Sequence, residues 1–197
     1  MPRPKRRTPE LREHVLAAAL DLLTREGVGA FTARGIARKA ETSPPALYEL
    51  FGDKAGLLRE VFFEGFRMLR GELDALQETD DPRADLVALA ETYRSFIRAY
   101  PVLAQVMFSR PFADFDPSAS ELQAGASVRM FIVERVQRAI DAGTLHGKAT
   151  DLAHVLVAVV QGLVAAENAQ RLGSTQASVN RRWALAVNAV LDGFGPA

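Results

Sequence analysis

The 197-residue chain contains no cysteine, a single tryptophan and only 8% aromatic residues. The lack of cysteine excludes disulfides, thiolate metal ligands and a cysteine nucleophile, and it is typical of a reducing compartment. The chain also lacks any run near about 18 uninterrupted apolar residues, and its basic start, M-P-R-P-K-R-R, has no signal-peptide core. We therefore expect a cytoplasmic protein that does not bind a membrane.

Motifs for catalysis are missing as well. There is no G-x-S-x-G elbow, no Walker loop and no H-E-x-x-H, and the three histidines are scattered rather than set at metal-ligand spacing. The paired carboxylates at 80–81 and at 114 and 116 lie beside prolines, where solvated loop charges are the common explanation. We expect no enzyme activity, no metal and no cofactor.

A helical pattern is present along the whole chain, with apolar residues at spacings of three and four. No useful stretch alternates with period two, so sheet is not expected. The pattern predicts an all-α protein of about nine helices, and its clearest break is the acidic segment 78–82, which ends in proline. The longer predicted helices cover about 9–25, 54–77, 120–142, 150–171 and 176–191.

Two short helices with a tight turn between them are predicted within residues 31–58. In the first, Ile36, Ala37 and Ala40 recur on one helix face, which we expect to be buried. Thr32 stands where its side chain can cap the start of that helix.

The second short helix is predicted to begin at Pro44. Ser43 can accept hydrogen bonds from the orphan N–H groups, and proline fits the first helical position. Leu47 and Phe51 recur at i and i+4 and should point inward, and Gly52 ends the helix. Two short helices joined by so small a turn suit the major groove of DNA, as in a helix-turn-helix.

These residues resemble the signature of the TetR family of bacterial transcriptional repressors, T-x-x-x-I-A-x-x-A-G-V-S-x-x-x-L-Y-x-x-F-x-x-K-x-x-L. The matching positions are Thr32, Ile36, Ala37, Ala40, Ser43, Leu47, Tyr48, Phe51, Lys54 and Leu57. The resemblance implies an N-terminal three-helix DNA-binding domain over residues 1–55 and a helical ligand-binding and dimerisation domain over residues 56–197.

A looser resemblance covers residues 93–173. It is to a TetR C-terminal subgroup with Y-x-x-F, P-x-L and M-F motifs and a later W-x-x-V-H-G-L, in which Gln161 here replaces the histidine.

Two departures concern the DNA-binding motif. Glu41 replaces the usual turn glycine, so either it adopts a left-handed conformation at a cost of about 1 kcal/mol or the turn differs. Gly35 weakens its helix by about 1 kcal/mol, so that helix should depend on packing.

Charge and resemblance together indicate the DNA-contacting residues. Residues 1–60 hold eleven Lys and Arg against eight Asp and Glu, a net charge of +3, and the basic tail either contacts DNA or is a solvated arm. The resemblance implies phosphate contacts from Thr32, Thr42, Tyr48 and Lys54. The full predicted set is Arg6, Arg7, Thr32, Arg34, Thr42, Ser43, Pro44, Pro45, Ala46, Tyr48 and Lys54.

One recognition helix reads too few base pairs for specificity, so we expect a homodimer on a palindromic double-stranded operator, with half-sites roughly 34–36 Å apart. Small residues in the last two helices would let helices of two subunits approach closely. Larger apolar residues form a stripe along the last helix. The predicted interface residues are Ala158, Gly162, Ala165, Trp183, Val187, Val190 and Phe194. The alternative is that the stripe packs within its own subunit.

The second domain should hold a small apolar or amphipathic effector that releases the repressor from DNA. Bulky or polar residues on faces expected to point inward are the candidates: Phe66, Tyr93, Phe96, Met107, Phe131, His154 and Gln161. Ordinary core packing is the alternative for the aromatic and Met residues, and a buried hydrogen bond for His154 and Gln161. The alternative for the whole protein is a ligand-independent DNA-binding protein on the same fold.

Overall fold

The computed structural model describes residues 8–108 and 119–196, and in these ranges the chain forms nine α-helices, one short 3-10 helix at Val28–Ala30, and no strand. The helices are α1 (Pro9–Glu26), α2 (Ala33–Lys39), α3 (Pro44–Phe51), α4 (Lys54–Asp74), α5 (Pro82–Ala99), α6 (Pro101–Phe108), α7 (Ala119–Asp141), α8 (Ala149–Asn168) and α9 (Gln176–Gly193). The all-α fold is confirmed, and so is the break before Pro82.

Helix α8 ends three residues before the predicted end at residue 171. Gln170 there has a φ of 57°, and the Arg171 N–H donates to the Ala166 carbonyl oxygen at 2.8 Å. This is the hydrogen bond of a Schellman cap, which stops a helix by turning one residue left-handed.

The chain divides into two compact units. The first comprises Met1–Arg67 and Tyr100–Gln123, and the second comprises Met68–Ala99 and Ala124–Ala197. Helix α4 therefore contributes its first two thirds to one unit and its last turns to the other. The predicted domain boundary after residue 55 stays a prediction.

In the first unit, the apolar faces of the helices form a core beneath α2 and α3. Its largest fully buried side chains are Leu23, Phe31, Ile36 and Leu103. Helices α4 and α6 pack closely, since a Cβ added to Gly65 would lie 2.5 Å from the Met107 sulfur. Phe66 continues this packing through an edge contact with Phe108, at 5.8 Å between ring centroids.

The second unit is built around α5, α7, α8 and α9. Arg94 of α5 is 4% exposed and makes a bidentate ion pair with Glu167 of α8, with Nε–Oε2 and Nη2–Oε1 distances of 2.8 and 3.1 Å. Its guanidinium also lies 4.6 Å from the ring centroid of Trp183 and donates to Asn180 of α9. A buried charge requires such pairing and hydrogen bonding, so Arg94 fixes three helices together.

The loop between α4 and α5 is held by a buried carboxylate. Asp85 accepts from the Thr79 N–H at 3.0 Å and from the Thr79 hydroxyl at 2.7 Å, and the Arg138 guanidinium donates to it at 2.5 Å. Burial by itself would raise the pKa of Asp85, but the hydrogen bonds from Thr79 and Arg138 outweigh it and hold that pKa below its ordinary value.

Candidate DNA-binding surface

The two short helices begin as their capping residues predict. The Thr32 hydroxyl accepts from the Gly35 N–H at 3.1 Å, and the Ser43 hydroxyl accepts from the Ala46 N–H at 3.4 Å. Close packing favours glycine at position 35, because a Cβ added to Gly35 would lie 2.9 Å from the Ala30 carbonyl oxygen. The expected dependence of α2 on packing stays a prediction.

The turn between α2 and α3 forms without a glycine. Glu41 has a φ of 49°, so of the two expectations the left-handed conformation is the observed one. The Glu41 N–H donates to the Arg38 carbonyl oxygen at 3.3 Å, and the Thr42 N–H donates to that of Ala37 at 2.8 Å. These two bonds form a Schellman motif with Glu41 at the position that glycine usually holds.

The recognition helix α3 has one buried and one exposed face. Leu47 and Phe51 are buried, as predicted. Pro45, Tyr48 and Glu49 are exposed, with 46% of Tyr48 accessible to solvent. A protruding aromatic residue on a short, well-anchored helix can reach the surface of a nucleic acid, whereas a core residue cannot.

A small cleft separates the start of α2 from the start of α4 and has Tyr48 and Lys54 among its walls. The cleft residues are Ala33, Ile36, Leu47, Tyr48, Asp53, Lys54 and Leu57. The Asp53 carboxylate caps α4 by accepting from the Gly56 N–H at 2.7 Å. Lys54 therefore stands exposed at a helix N-terminus, where the helix dipole and the ammonium both favour an anion.

The other predicted DNA-binding residues within the described part of the chain are at least partly accessible. Thr32, Arg34 and Ser43 are exposed, whereas Thr42, Pro44 and Ala46 are half-buried. Arg6 and Arg7 lie outside the described residues. Each DNA contact stays a prediction.

Arg12 of α1 was not predicted from the sequence. Its guanidinium donates to the Leu50 carbonyl oxygen at 2.5 Å and to the Glu60 carboxylate at 2.5 Å, and it lies 4.5 Å from the ring centroid of Phe51. Thus one side chain of α1 touches the last turn of α3 and the second turn of α4. Its partners lie 38 and 48 positions away in the chain, so no local pattern marks it.

The effector candidates fall into both units. Phe66 and Met107 are buried in the first, and Tyr93, Phe96 and Phe131 are buried in the second. The Gln161 amide donates to the Tyr93 hydroxyl at 2.9 Å, and burial raises the pKa of that hydroxyl.

His154 does not point inward as expected. It is exposed on α8, and its Nδ1 is 2.6 Å from the Thr150 carbonyl oxygen on its own helix. Gln161, seven residues further along α8, is half-buried and reaches the buried Tyr93, so the shared spacing did not give the two side chains the same surroundings.

The interface candidates separate into exposed and buried residues. Ala158, Gly162 and Ala165 are exposed on α8. Trp183 and Val187 are each only 1% exposed, so these two pack within their own chain, which was the alternative. Val190 and Phe194 are half-buried.

Helix α8 is apolar for a helix with so much exposed surface. Its mean hydropathy of 1.7 is high enough, by length and composition alone, to cross a membrane, yet only 28% of the tested window is buried in the chain. A core helix of a soluble protein passes the same test, so this is weak support for a membrane span.

Two family models match the chain. Residues 15–61 match the model described as bacterial regulatory proteins, tetR family, and residues 86–190 match the model described as tetracyclin repressor-like, C-terminal domain. The second match alone covers more than half of the chain. A comparison with curated proteins found no match.

Solved structures share the fold along nearly the whole chain. A protein of unknown function from Rhodococcus sp. RHA1 is 27% identical with a TM-score of 0.83, covering 99% of this chain and 100% of that one. A bacterial regulatory protein in the TetR family from Rhodococcus RHA1 is 20% identical with a TM-score of 0.69, covering 96% and 100%. A TetR variant from Acinetobacter baumannii AYE in complex with minocycline is 22% identical with a TM-score of 0.63, covering 91% and 93%.

Proposed function

This chain belongs to the TetR family of bacterial regulatory proteins, and from that premise we propose that it is a homodimeric repressor that binds a palindromic operator and leaves it when a small apolar or amphipathic molecule binds. DNA-binding regulation follows from the family. Repression, dimerisation and effector release are the proposed parts.

The observation that carries the proposal is the exposed face of α3. Its base-facing residues would be Pro44, Pro45 and Ala46, which lack long polar groups and would read thymine methyls and groove shape. Tyr48 and Lys54, which line one cleft, would hold phosphates of the DNA backbone. The set therefore divides into residues that position the protein and residues that specify the sequence.

A second copy of the chain is the proposed partner of α8. Exposed residues recur on this helix at spacings of four, three, four and three, namely Asp151, Val155, Ala158, Gly162 and Ala165. Val155 is 45% exposed, and small residues beside it allow two helices to approach closely. Leu185 on α9 is 69% exposed, which adds to the apolar surface that a two-fold partner would cover.

For the effector, we propose that Tyr93 and Gln161 orient a polar group and that the buried aromatic residues receive an apolar one. The A. baumannii relative was solved with minocycline, which supports a small organic effector in a protein of this fold. The competing function is a ligand-independent DNA-binding protein. Phe96 is fully buried, which favours ordinary core packing over effector contact for this residue.

Selection of DNA from a random pool tests the central claim. The purified protein should enrich one inverted repeat, and sedimentation of the complex should show two chains on each duplex. Failure to enrich any sequence at low salt would remove operator binding from the proposal. Enrichment of a single unrepeated half-site would retain DNA binding and remove the dimer.

Thermal unfolding tests the effector. Trp183 is the only tryptophan and is buried in the second unit, so its fluorescence reports that unit. Compounds from an apolar and amphipathic panel, with minocycline included, should raise its transition temperature and release the selected duplex. Binding without release, or no binding by any compound in the panel, would favour the ligand-independent alternative.

A further inference from the structure

Arg12 links three helices of the first unit at the end of the recognition helix. Its Nη1 donates to the Leu50 carbonyl oxygen in the last turn of α3, and its Nη2 donates to Glu60 of α4. The last four carbonyl groups of a helix have no partner inside the helix. Arg12 supplies one of those partners from a different helix.

The charge of Arg12 suits this position. The C-terminal end of a helix carries partial negative charge, so a guanidinium there is favoured by the helix dipole as well as by the hydrogen bond. The same guanidinium lies over the Phe51 ring at 4.5 Å, and Phe51 is a buried residue of α3. Arg12 therefore contacts both the backbone and the anchoring side chain of the last turn.

Two fixed points determine the direction of a short helix. At its first turn, α3 is held by the α2–α3 turn and the Ser43 cap. At its last turn, the N–H of Gly52, the residue after α3, donates to the Tyr48 carbonyl oxygen, and this bond connects α3 to no other helix. Arg12 connects that end to α1 and, through Glu60, to α4.

We propose that Arg12 is a positioning residue for DNA reading, which sets the direction of α3 through Leu50 and Phe51 and is itself oriented by Glu60. The inference rests on the proposed operator binding. It assigns to an arginine of α1 an effect on sequence discrimination without any contact to a base. Loss of Arg12 should weaken the selected operator more than random DNA, because only base reading depends on the direction of α3.

The test compares Arg12→Met with Arg25→Met in the full-length protein. Arg25 lies on the same helix, is 75% exposed and pairs with Asp21 one turn away, so its replacement removes the same charge and leaves α3 untouched. Affinities for the selected operator and for a random duplex of equal length are measured by fluorescence anisotropy at several salt concentrations. Circular dichroism confirms that each variant is folded.

Arg12→Met should lose about tenfold in operator affinity relative to Arg25→Met, with little change in random-duplex affinity and an unchanged salt dependence. A salt slope lower by about 0.9 would instead mean that Arg12 holds a phosphate. Equal losses on both duplexes, or equal affinities of the two variants for the operator, would overturn the positioning role.

Glu60→Gln provides a second variant that keeps the Leu50 contact. The Arg12 and Glu60 side chains are 40% and 29% exposed, and an ion pair so exposed adds little to stability, so this variant should fold even if Arg12→Met does not. Glu60→Gln should also lose more affinity for the selected operator than for the random duplex, by a smaller factor than Arg12→Met. An unchanged ratio of the two affinities would overturn the proposal. If the wild-type protein enriches no DNA, operator binding itself fails, which is a separate result.

Discussion

The backbone N–H of Thr42 donates to the carbonyl oxygen of Ala37 at 2.8 Å, across a turn in which the intervening Glu41 has a φ of 49°. A side chain costs about 1 kcal/mol in that conformation and glycine costs nothing. The chain therefore accepts local strain at the centre of its helix-turn-helix while keeping the hydrogen bonds of the turn.

Glu41→Gly should raise the free energy of unfolding by about 1 kcal/mol, because it removes the strain and keeps the Schellman bonds. Urea denaturation followed by circular dichroism measures the change. Glu41→Ala is the control, since it deletes the same carboxylate but retains a Cβ at positive φ. A gain of equal size in both variants would assign the effect to charge rather than to backbone strain.

Gly56→Ala should destabilise the protein by roughly 1–3 kcal/mol, because the added Cβ would lie 1.9 Å from the Phe51 carbonyl oxygen. That oxygen belongs to the backbone and cannot move without shifting the end of α3, so operator affinity should fall as well. The matched control is Gly71→Ala in the same helix, where the described residues place no atom within 4 Å of the added Cβ beyond the nearby helical backbone. It should stabilise α4 by up to about 1 kcal/mol, and a similar gain in Gly56→Ala would contradict the close approach.

The sequence predicts best what depends on neighbouring residues. Thr32, Ser43 and Asp53 cap helices because their side chains reach N–H groups three positions on, and that spacing is visible in the sequence. The helix order, the acidic break before Pro82 and the buried faces of α2 and α3 follow from the same local rules. The exposed candidate DNA-binding surface follows in turn, because it is the other face of helices whose buried faces were identified.

Contacts between distant residues were not predictable. Arg94 and Glu167 are 73 positions apart, and a charged pair on two helices is read from sequence as two solvated side chains. Trp183 shows the second limit: its spacing with Val187 identified a shared face correctly, but periodicity does not say whether that face meets its own chain or a second one. Burial within the chain resolved that question for Trp183 and Val187, and it left the exposed side of α8 as the candidate for an interface.

Lys54→Ala should weaken binding to the selected operator and to random DNA by the same factor, because a phosphate contact carries no sequence information. The magnitude of the salt slope should fall by about 0.9, the contribution of one neutralised phosphate. Lys148→Ala, which removes the same charge at the start of α8 in the second unit, is the control and should change neither quantity. A change in base preference at one position would contradict the phosphate role of Lys54.

Asp85→Asn should lower the free energy of unfolding at pH 7 by about 2 kcal/mol, since it breaks a buried hydrogen-bonded pair. The pKa of Asp85 is lowered in the folded state, so its contribution is complete above the unfolded-state pKa and is lost as pH falls through the folded-state value. The difference between wild type and variant should therefore shrink as pH falls below about 4. Denaturation of both proteins from pH 7 to below about pH 4 measures this difference in the free energy of unfolding. Asp80→Asn, which replaces an exposed carboxylate, is the control and should match the wild-type stability at every pH.

Gly162→Leu should convert the dimer to a monomer without harming the fold. Apart from its neighbours and the nearby backbone of its own helix, no described atom lies within 4 Å of a Cβ added at Gly162. Replacing glycine inside a helix adds up to about 1 kcal/mol of helix stability, so the isolated chain should stay folded. A second α8 packed against this position would meet the new side chain directly.

Sedimentation velocity should show the loss of the dimer, and affinity for the inverted repeat should fall much more than affinity for one half-site. Gly71→Leu is the matched control, because its added Cβ is equally free of contacts within 4 Å from the described residues beyond its own helical backbone but lies on α4. A Gly162→Leu protein that sediments as the wild-type dimer would exclude this part of α8 from the interface, whereas a wild-type monomer would remove the dimer from the proposed function.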